Sequence, residues 1–317
     1  MSPKITSIED AEKILRQGGV IGLPTETVYG LGAWIESTEG LEKIFSIKER
    51  PFFDPLIVHV ANSSKARELS LNWNEVHETL ASKLWPGPLT IVTKKKENVN
   101  SLITSGLDSV GLRCPNHPLA LKLLSRLEGG IAAPSANKFG KTSPTTAAHV
   151  FDEFGDEVSV IDGGSCDVGI ESTVIEVFFS DKIIIHIFRP GFYHGDHFRE
   201  ALKNFSEEIE IQYVQSPVAP GQLKHHYMPK TPIALIPDVD LEEAKKLLPV
   251  EFLSKNIHFW ELPSSALTAA RELYEKMRLF DQKSFDLILI PYKSQYLEEN
   301  WLGIWNRLEK AKTFDFR

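Results

Sequence analysis

The residues of this sequence that are best suited to chemistry stand at the ends of short apolar segments. They are small hydroxyl or amide side chains and cations, namely Thr25, Thr27, Lys48, Arg50, Arg113, Ser135, Asn137, Ser172, Thr173 and Arg189. The set includes no candidate nucleophile and no strong general base. Such residues position anions and neutralise charge, which is most of what nucleotidyl transfer requires of a protein. Magnesium would then be carried largely by the substrate phosphates.

Each of these groups also has a simpler interpretation. Thr25 and Thr27 lie on what we expect to be a strand-to-helix turn, where hydroxyls bind small polar ligands or simply cap the helix. Lys48 and Arg50 come at or just past the end of a predicted helix, so they either hold phosphates or satisfy helix carbonyls. Arg113 follows an apolar strand, and a long cation near a core needs an anionic partner.

Other familiar site signals are weak. Residues 135–142 (SANKFGKT) end like a phosphate-binding P-loop but lack its leading glycine. His194 with His197, and His225 with His226, are more typical of surface histidines than of metal ligands, because neither cysteines nor carboxylates of ligand spacing accompany them. We therefore predict no metal site formed by the protein.

Composition limits the classes of protein that remain. The 317 residues carry a net charge of −8, and 42% of them are hydrophobic, which is ordinary for a globular protein with room for two domains. The acidic balance disfavours a protein that mainly grips a nucleic-acid backbone, although a small basic pocket is compatible with it. Two cysteines, Cys114 and Cys166, exclude a disulfide scaffold. Without an apolar leader or a membrane-length apolar run, we expect a cytoplasmic protein.

Irregularly alternating helices and strands must position these residues. We predict helices over residues 7–17, 41–47 and 119–127, and strands over residues 20–23, 55–60, 89–93, 110–113, 131–133, 158–161, 172–179 and 183–188. Ser7 is the expected cap of the first helix, and Gly18 with Gly19 ends it. Because the strand–helix–strand rhythm is irregular, the pattern favours a mixed sheet over a doubly wound one.

The character of the chain changes between about residues 206 and 230, where residues 216–221 (SPVAPG) are typical of a linker. Beyond this point we predict strands over residues 233–236, 257–260 and 285–290, and helices over residues 241–248, 265–280 and 301–312. That alternation is typical of a small α/β domain with a largely parallel sheet. We therefore expect a catalytic domain (1–205), a linker (206–230) and a C-terminal α/β domain (231–317).

Several motifs occur together in a characteristic order. They are residues 24–32 (PTETVYGLG), 48–51 (KERP), 54–59 (DPLIVH), 85–90 (WPGPLT), 133–137 (APSAN), 163–164 (GG), 171–173 (EST) and 189–191 (RPG). In these motifs the chain resembles the YrdC-like family over about residues 5–195. The linker, residues 225–227 (HHY) and the terminal α/β domain resemble the longer, two-domain form of that family.

The resemblance implies a fold and a reaction. The expected fold is α/β, with an N-terminal twisted, open barrel-like mixed sheet around a large positive cavity and a small Rossmann-like C-terminal domain. The expected reaction joins L-threonine, bicarbonate and ATP into L-threonylcarbamoyl-AMP and pyrophosphate. That adenylate would feed the t⁶A modification at position 37 of tRNA, so a t⁶A transferase complex and tRNA are expected as transient partners.

The resemblance also assigns roles to individual residues. Threonine would contact Thr27, His59, Arg113, Ala133 and Ser172. ATP, with its Mg²⁺, would contact Lys48, Arg50, Asp54, Ser109, Ser135, Asn137, Ser143, Arg189 and, on a linker that folds over the cavity as a lid, Gln222. Lys48 and Arg50 would be the catalytic pair that stabilises the leaving pyrophosphate.

Three positions depart from the family pattern. The family often has Asn where this chain has Asp54, and a carboxylate near phosphates repels them unless it faces magnesium or ribose. Glu49 replaces the usual glycine before the motif arginine, and we expect it to point to solvent. Gln222 and Leu223 replace the more usual Met-Lys of the linker.

Other functions remain open at this stage. One alternative is a module that binds double-stranded RNA or tRNA, and the acidic charge weighs against it. A second is a YciO-type member of the family without threonine activity, which the C-terminal domain argues against. A third is a carbamoyl-adenylating maturation factor, whose zinc-finger regions need more cysteines than this chain has.

Overall fold

The computed structural model describes residues 3–214, 227–252 and 254–317, and the strands of this part of the chain form two sheets. The larger sheet has ten strands, namely β1 (Ile21–Leu23), β2 (Gly30–Trp34), β3 (Ile57–His59), β4 (Leu89–Lys94), β5 (Ser109–Arg113), β6 (Ile131–Ala132), β7 (Ser159–Val160), β8 (Thr173–Phe179), β9 (Ile183–Arg189) and β10 (Ile209–Tyr213). The smaller sheet has four, namely β11 (Ile233–Ile236), β12 (Ile257–Phe259), β13 (Leu287–Pro291) and β14 (Phe314–Asp315). We call residues 3–214 the large-sheet region and residues 231–317 the small-sheet region.

The larger sheet is mixed and open. Its strand order is β10-β9-β8-β4-β5-β3-β6-β2-β1-β7, so β10 and β7 lie at opposite edges. Four of its neighbouring pairs are parallel, among them β3 with β5 and β4 with β8, and the others are antiparallel. This arrangement confirms the mixed sheet predicted from the irregular rhythm of the sequence.

Helices cover this sheet, and their ends follow the local sequence. They are α1 (Ile8–Arg16), α2 (Thr38–Lys48), α3 (Ser63–Leu69), α4 (Glu75–Leu84), α5 (Ser101–Thr104), α6 (Pro118–Leu124), α7 (Ala147–Phe154) and α8 (Gly195–Ala201). Helix α1 begins where the side chain of Ser7 accepts a hydrogen bond from the backbone of Asp10, as its cap pattern predicts. Helix α2 ends at Glu49, whose φ of 54° lies in the left-handed region and turns the chain sharply towards Arg50.

The small-sheet region is a second layer of strands and helices, whose core also includes Val28, Val168 and Ile170 of the large-sheet region. Its strand order is β12-β13-β11-β14, and every pair is parallel, which confirms the prediction made from the sequence. Helices α9 (Leu241–Leu247), α10 (Ala266–Gln282) and α11 (Leu302–Ala311) pack against it, with Ser265 capping α10. Strands β11 and β13 are buried along their whole length, as expected for a parallel sheet covered on both faces.

Two local predictions are wrong. Thr25 and Thr27 do not precede a helix, because their turn joins β1 to β2 as antiparallel neighbours. The short apolar run before Pro24 and the glycines after it suit a hairpin as well as a strand-to-helix turn, so the sequence pattern alone misidentified the second element. Residues 209–213, placed in the linker from the sequence, form β10 beside β9.

No helix in the described ranges is both long enough and apolar enough to cross a membrane.

Candidate functional site

The ends of several strands of the large sheet meet at one cavity. Its walls are formed by Thr25, Thr27, Val28, Gly30, Arg50, Pro55, Ile57, His59, Arg113, Ala133, Pro134, Ser135, Glu171, Ser172, Arg189 and Tyr227. The enclosed space is about 60 Å³, well below the several hundred Å³ of a typical ligand pocket. The fully buried Tyr227 is among the side chains that close the cavity.

The turn between β1 and β2 is held by its own hydroxyls. The Thr25 hydroxyl donates to the carbonyl of Val28 at 2.6 Å and lies 2.8 Å from the hydroxyl of Thr27. It also accepts hydrogen bonds from the backbone amides of Thr27 and Val28. A fully buried Thr27 is thus fixed in the cavity wall by neighbours within its own turn.

Strands β3 and β5 bring a histidine and an arginine to the same place. Their parallel register pairs His59 with Arg113 at the carboxyl ends of both strands. Burial, with the Arg113 guanidinium nearby, lowers the pKa of His59 to about 3, so the imidazole is neutral at ordinary pH.

The anionic partner that Arg113 requires is a residue of the chain itself. Arg113 Nη2 lies 2.8 Å from Oε1 of Glu26, and both side chains are buried. Within the described residues, Arg113 Nε and Glu26 Oε2 have no hydrogen-bond partner. Buried polar atoms of this kind are costly unless they are paired, so they point to a polar ligand at this wall.

Lys48, the last residue of α2, faces the loop after β6. Its ammonium donates to the backbone carbonyl of Ser135 at 2.5 Å and to that of Asn137. Burial, with the positive charge of Arg50 close by, holds the pKa of Lys48 well below its ordinary value. The ammonium therefore bonds carbonyls of another segment and not those of its own helix.

Asp54 has a specific partner in Arg50. Arg50 Nη2 lies 2.8 Å from Asp54 Oδ2, and the same guanidinium donates to the backbone carbonyls of Asp54 and Pro55. Burial raises the pKa of Asp54, while the Arg50 charge opposes that rise. Asp54, which departs from the family pattern, thus orients an arginine of the cavity wall. Glu49, the residue before Arg50, is exposed, and its carboxylate lies 2.8 Å from the ammonium of Lys138.

Arg189 and Ser172 meet at the ends of β9 and β8. Arg189 Nε donates to the Ser172 carbonyl at 3.1 Å, and its Nη2 donates to the Ser172 hydroxyl at 3.2 Å. The hydroxyls of Ser172 and Thr90 lie 2.7 Å apart. These contacts fix a cation and a hydroxyl side by side in the wall.

The structure brings most of the residues proposed from the sequence together. Those in the cavity wall are Thr27, Arg50, His59, Arg113, Ala133, Ser135, Ser172 and Arg189. Four others lie immediately behind it: Lys48 and Asn137 at the Ser135 loop, Asp54 on Arg50, and Ser143 on Glu171.

One of the proposed residues lies elsewhere, and one belongs to a segment that the structure does not describe. Ser109, the first residue of β5, lines a separate small cavity with Gly111 and Val174. It is therefore not part of the wall that the other residues form. Gln222 lies outside the described residues.

Sequence reasoning missed three wall or second-layer residues, namely Glu26, Glu171 and Tyr227. Each lies inside a motif that was noted, between or beside hydroxyl or histidine residues. The available signal was the count of buried cations at strand ends, because each buried arginine needs a carboxylate. Glu26 is that carboxylate for Arg113 at the end of β5, whereas Glu171 pairs with Arg307 of helix α11.

A group of possible metal ligands lies outside the cavity. His194, Asp196 and Glu299 place ligand atoms within 4.8 Å of one another. Contacts within the protein already engage them, because His194 Nδ1 lies 3.2 Å from Glu299 and Asp196 lies 3.0 Å from Arg199.

Comparison with known proteins gives matches over almost the whole chain. A family model described as "Telomere recombination" matches residues 13–191, and one described as "Threonylcarbamoyl-AMP synthase, C-terminal domain" matches residues 197–313. A protein named threonylcarbamoyl-AMP synthase from Pyrococcus abyssi is 35% identical, covering 97% of this chain and 94% of its own. One of the same name from Bacillus subtilis is 32% identical, covering 98% and 94%.

Solved structures agree with these matches. The crystal structure of P. abyssi Sua5 complexed with L-threonine has a TM-score of 0.83 and 33% identity, covering 96% of this chain and 93% of its own. The structure of Escherichia coli YciO has a TM-score of 0.50 and 25% identity, and it covers 60% of this chain. The likeness to the threonine-bound protein therefore extends through both sheets.

Proposed function

Because the chain belongs to the YrdC-like family, in the two-part form that ends in a threonylcarbamoyl-AMP synthase C-terminal domain, we propose that its cavity makes L-threonylcarbamoyl-AMP from L-threonine, bicarbonate and ATP. The protein is then a nucleotidyltransferase. The observation that carries the proposal is the convergence of Arg50, Arg113 and Arg189 with small hydroxyls in one buried cavity. Such a wall suits an amino acid on one side and phosphates on the other.

On the threonine side of the cavity, His59 and Arg113 have buried polar atoms without a hydrogen-bond partner among the described residues. In our proposal the threonine-binding residues are Thr27, His59, Arg113, Ala133 and Ser172. Arg113 retains an unpaired Nε within the described residues, which suits the threonine carboxylate. The hydroxyls of Thr27 and Ser172 then form hydrogen bonds with the threonine hydroxyl. A site built to hydrogen-bond a hydroxyl rejects analogues that lack this hydroxyl.

The phosphate side contains the cations. In our proposal the ATP-binding residues are Lys48, Arg50, Asp54, Ser109, Ser135, Asn137, Ser143, Arg189 and Gln222. Ser109 lines the adjoining small cavity, which shares Pro55 with the main wall. Among the ATP-binding residues, Lys48 and Arg50 act catalytically, because they lie on the two sides of a sharp turn and share one buried neighbourhood. Asp54 contributes by orienting Arg50 through their 2.8 Å contact.

The proposed reaction has two bond-forming steps. The threonine amine attacks the carbon of bicarbonate, and loss of water leaves a carbamate. A carbamate oxygen then attacks the α-phosphorus, and the bond from that phosphorus to the pyrophosphate oxygen breaks. Lys48, Arg50 and Arg189 stabilise the charge that develops on pyrophosphate. A carbamate is labile in water, so a closed cavity protects it.

Mg²⁺ arrives with ATP in this proposal. The cavity carboxylates Asp54 and Glu171 are already paired with arginines, so they are poorly placed to form a dedicated cation site. Mg²⁺ commonly keeps several waters and is held mainly by substrate phosphates.

The product determines the partners that we propose. A mixed anhydride of a carbamate and AMP is short-lived in water, so it must be passed on quickly, and we propose a t⁶A transferase complex and tRNA as the recipients. The free, buried Cys114 and Cys166 fit a reducing compartment such as the cytoplasm. We also propose the division into residues 1–205, 206–230 and 231–317, with the part of the middle segment that follows β10 acting as a lid.

Pyrophosphate release from ATP tests the function directly. Threonine and bicarbonate are each supplied or omitted, and serine replaces threonine as a matched control. We expect release that requires both substrates and is much slower with serine. Release without threonine would contradict the proposal and indicate another acceptor. Bound ATP without any release would favour the RNA-binding or YciO-type alternatives.

A further inference from the structure

Glu171 connects the cavity wall with the small-sheet region. It precedes Ser172, lines the cavity and is 6% exposed. Its carboxylate accepts hydrogen bonds from the Ser143 hydroxyl at 2.5 Å, from the Tyr274 hydroxyl at 2.9 and 3.1 Å, and from Arg307 Nε at 3.0 Å. Ser143 belongs to the large-sheet region, whereas Tyr274 lies on α10 and Arg307 on α11.

Arg307 also holds the backbone on both sides of the cavity wall. Its Nη2 donates to the carbonyl of Glu171 at 3.2 Å, and its Nη1 donates to the carbonyl of Pro190. Ser172 follows the first of these carbonyls, and Arg189 precedes the second. One guanidinium from the small-sheet region therefore joins the two segments that carry a proposed threonine contact and a proposed ATP contact.

The backbones of the two regions are in direct contact around this guanidinium. Gly169 has a φ of 80°, and a Cβ at this position would lie 2.5 Å from Arg271 Cα and 2.6 Å from the Ala270 carbonyl of α10. A Cβ on Gly303 of α11 would lie 2.8 Å from the carbonyl of Gly191. Because side chains cannot fit at these points, α10 and α11 form a rigid backing for residues 169–172 and 189–191.

The charges of this cluster are balanced partly across the interface, since Arg307 pairs with Glu171. Arg307 is fully buried. Although burial alone would raise it, Arg307 and Arg189 hold the pKa of Glu171 at about 2. A buried ion pair adds little net stability compared with apolar residues of similar size, so its geometry is the more informative property.

We propose that Arg307 and Tyr274 are positioning residues for the reaction, because they orient Glu171 and through it Ser143, Ser172 and Arg189 at the cavity. This inference rests on the proposed function. It assigns the small-sheet region a task in catalysis without any contact with substrate.

Two variants separate positioning from folding. Arg307→Met removes the charge and the carbonyl contacts, and we expect kcat/KM for threonine to fall about tenfold or more, the scale of losing hydrogen bonds to a charged group. Arg307→Lys restores the charge but not the fork of donors, so it should recover only part of that loss. Tyr274→Phe keeps the ring and removes one hydroxyl, and we expect a loss of about threefold to tenfold.

The pH profile provides a readout that a merely structural role would not change. In the wild type Glu171 is ionised throughout the working range. Without Arg307, burial raises the pKa of Glu171, while the charges of Arg189 and Lys310 nearby oppose that rise, and protonation on the acid side removes an acceptor for Ser143 and Tyr274. Arg307→Met should therefore lose activity as the pH falls, whereas the control Lys293→Met, which removes a partly exposed partner of Glu261, should follow the wild type.

Threonine binding by calorimetry keeps this test separate from the test of the function. Wild-type protein without threonine-dependent pyrophosphate release would contradict the proposed function itself. With an active wild type, folded Arg307 and Tyr274 variants that match it in kcat/KM, threonine affinity and pH profile would overturn the positioning role. Tyr274→Phe decides the question if Arg307→Met does not fold, since it preserves the packing of a fully buried ring.

Discussion

The two sheet regions of this protein differ in how many polar and charged side chains they bury. In the large-sheet region, buried polar and charged side chains gather where strands end, as Thr27, His59 and Arg113 do. In the small-sheet region, β11 and β13 are apolar and buried throughout. Among its described residues, the buried polar side chains are Thr231 and Arg307. Both regions are α/β layers, so burial of charge, and not fold class, marks the site of chemistry.

This difference has an energetic basis. A buried charge is costly unless it is paired and hydrogen-bonded. The large-sheet region meets this cost internally with two ion pairs, Arg50–Asp54 and Arg113–Glu26, each 2.8 Å long. The small-sheet region buries one cation fully, and that cation pairs with Glu171 in the other region. In our proposal, the small-sheet region therefore supports the cavity of the large-sheet region through this ion pair.

The largest expected effect comes from a cation of the large-sheet region. Lys48→Ala removes an ammonium held by the carbonyls of Ser135 and Asn137. We expect the rate of pyrophosphate release at saturating substrates to fall ~10²-fold or more, the scale of losing one preorganised charge contact. Lys43→Ala removes a cation from the same helix, outside the cavity wall, where it pairs with Glu39 at 2.7 Å, and should leave the rate unchanged. Equal rates for the Lys48 and Lys43 variants would show that the buried cation contributes no more to the reaction than a cation outside the cavity.

Lowering the pH should destabilise the large-sheet region more than the small-sheet region. Burial lowers the pKa of His59 to about 3 and the pKa values of His77 and His149 to about 4. Below the ordinary value of 6.5, the unfolded chain takes up protons that the folded chain does not, so the free energy of unfolding falls as the pH falls. Between pH 7 and 5 we expect a loss on the order of 2 kcal/mol for a fully buried histidine.

Hydrogen exchange of peptides from both sheets at pH 7 and 5 measures this effect. Peptides of the large-sheet region should lose protection first, and His149→Gln, which keeps an acceptor near the Thr145 amide, should reduce that loss. Equal loss of protection in the two regions would show that the buried histidines do not determine the acid response.

The sequence was most informative about strand ends. Hydroxyls and cations that follow short apolar runs lie together in the cavity wall, because the ends of neighbouring strands lie close together. The prediction of a strand-to-helix turn at Thr25 was wrong. A three-residue strand such as β1 gives too few alternating residues to distinguish a hairpin from a strand-to-helix turn. Ser109 was expected at the ATP contact but lies at the start of β5, whose other end, at Arg113, carries the cavity residue.

Contacts between residues that are far apart in the sequence could not be predicted from local sequence patterns. The sequence predicted the helices of the small-sheet region well, because caps such as Ser265 are local signals. Arg307 looks from the sequence like one more charge on an amphipathic helix, yet its partner Glu171 lies 136 residues away. Register and packing decide such a contact, and neither is encoded in a short window of residues.

The smallest expected effect on the reaction comes from the apolar core of the small-sheet region. Ile288→Val removes one methylene from the fully buried core strand β13. We expect the free energy of unfolding to fall by about 1 kcal/mol, as is typical of this substitution. The rate of pyrophosphate release and the KM for threonine should stay at wild-type values at a temperature where the variant is folded, because Ile288 does not line the cavity. Chemical unfolding and steady-state kinetics on the same preparation measure both quantities, and a changed KM would mean that the small-sheet region tunes the cavity through its whole core and not through one guanidinium.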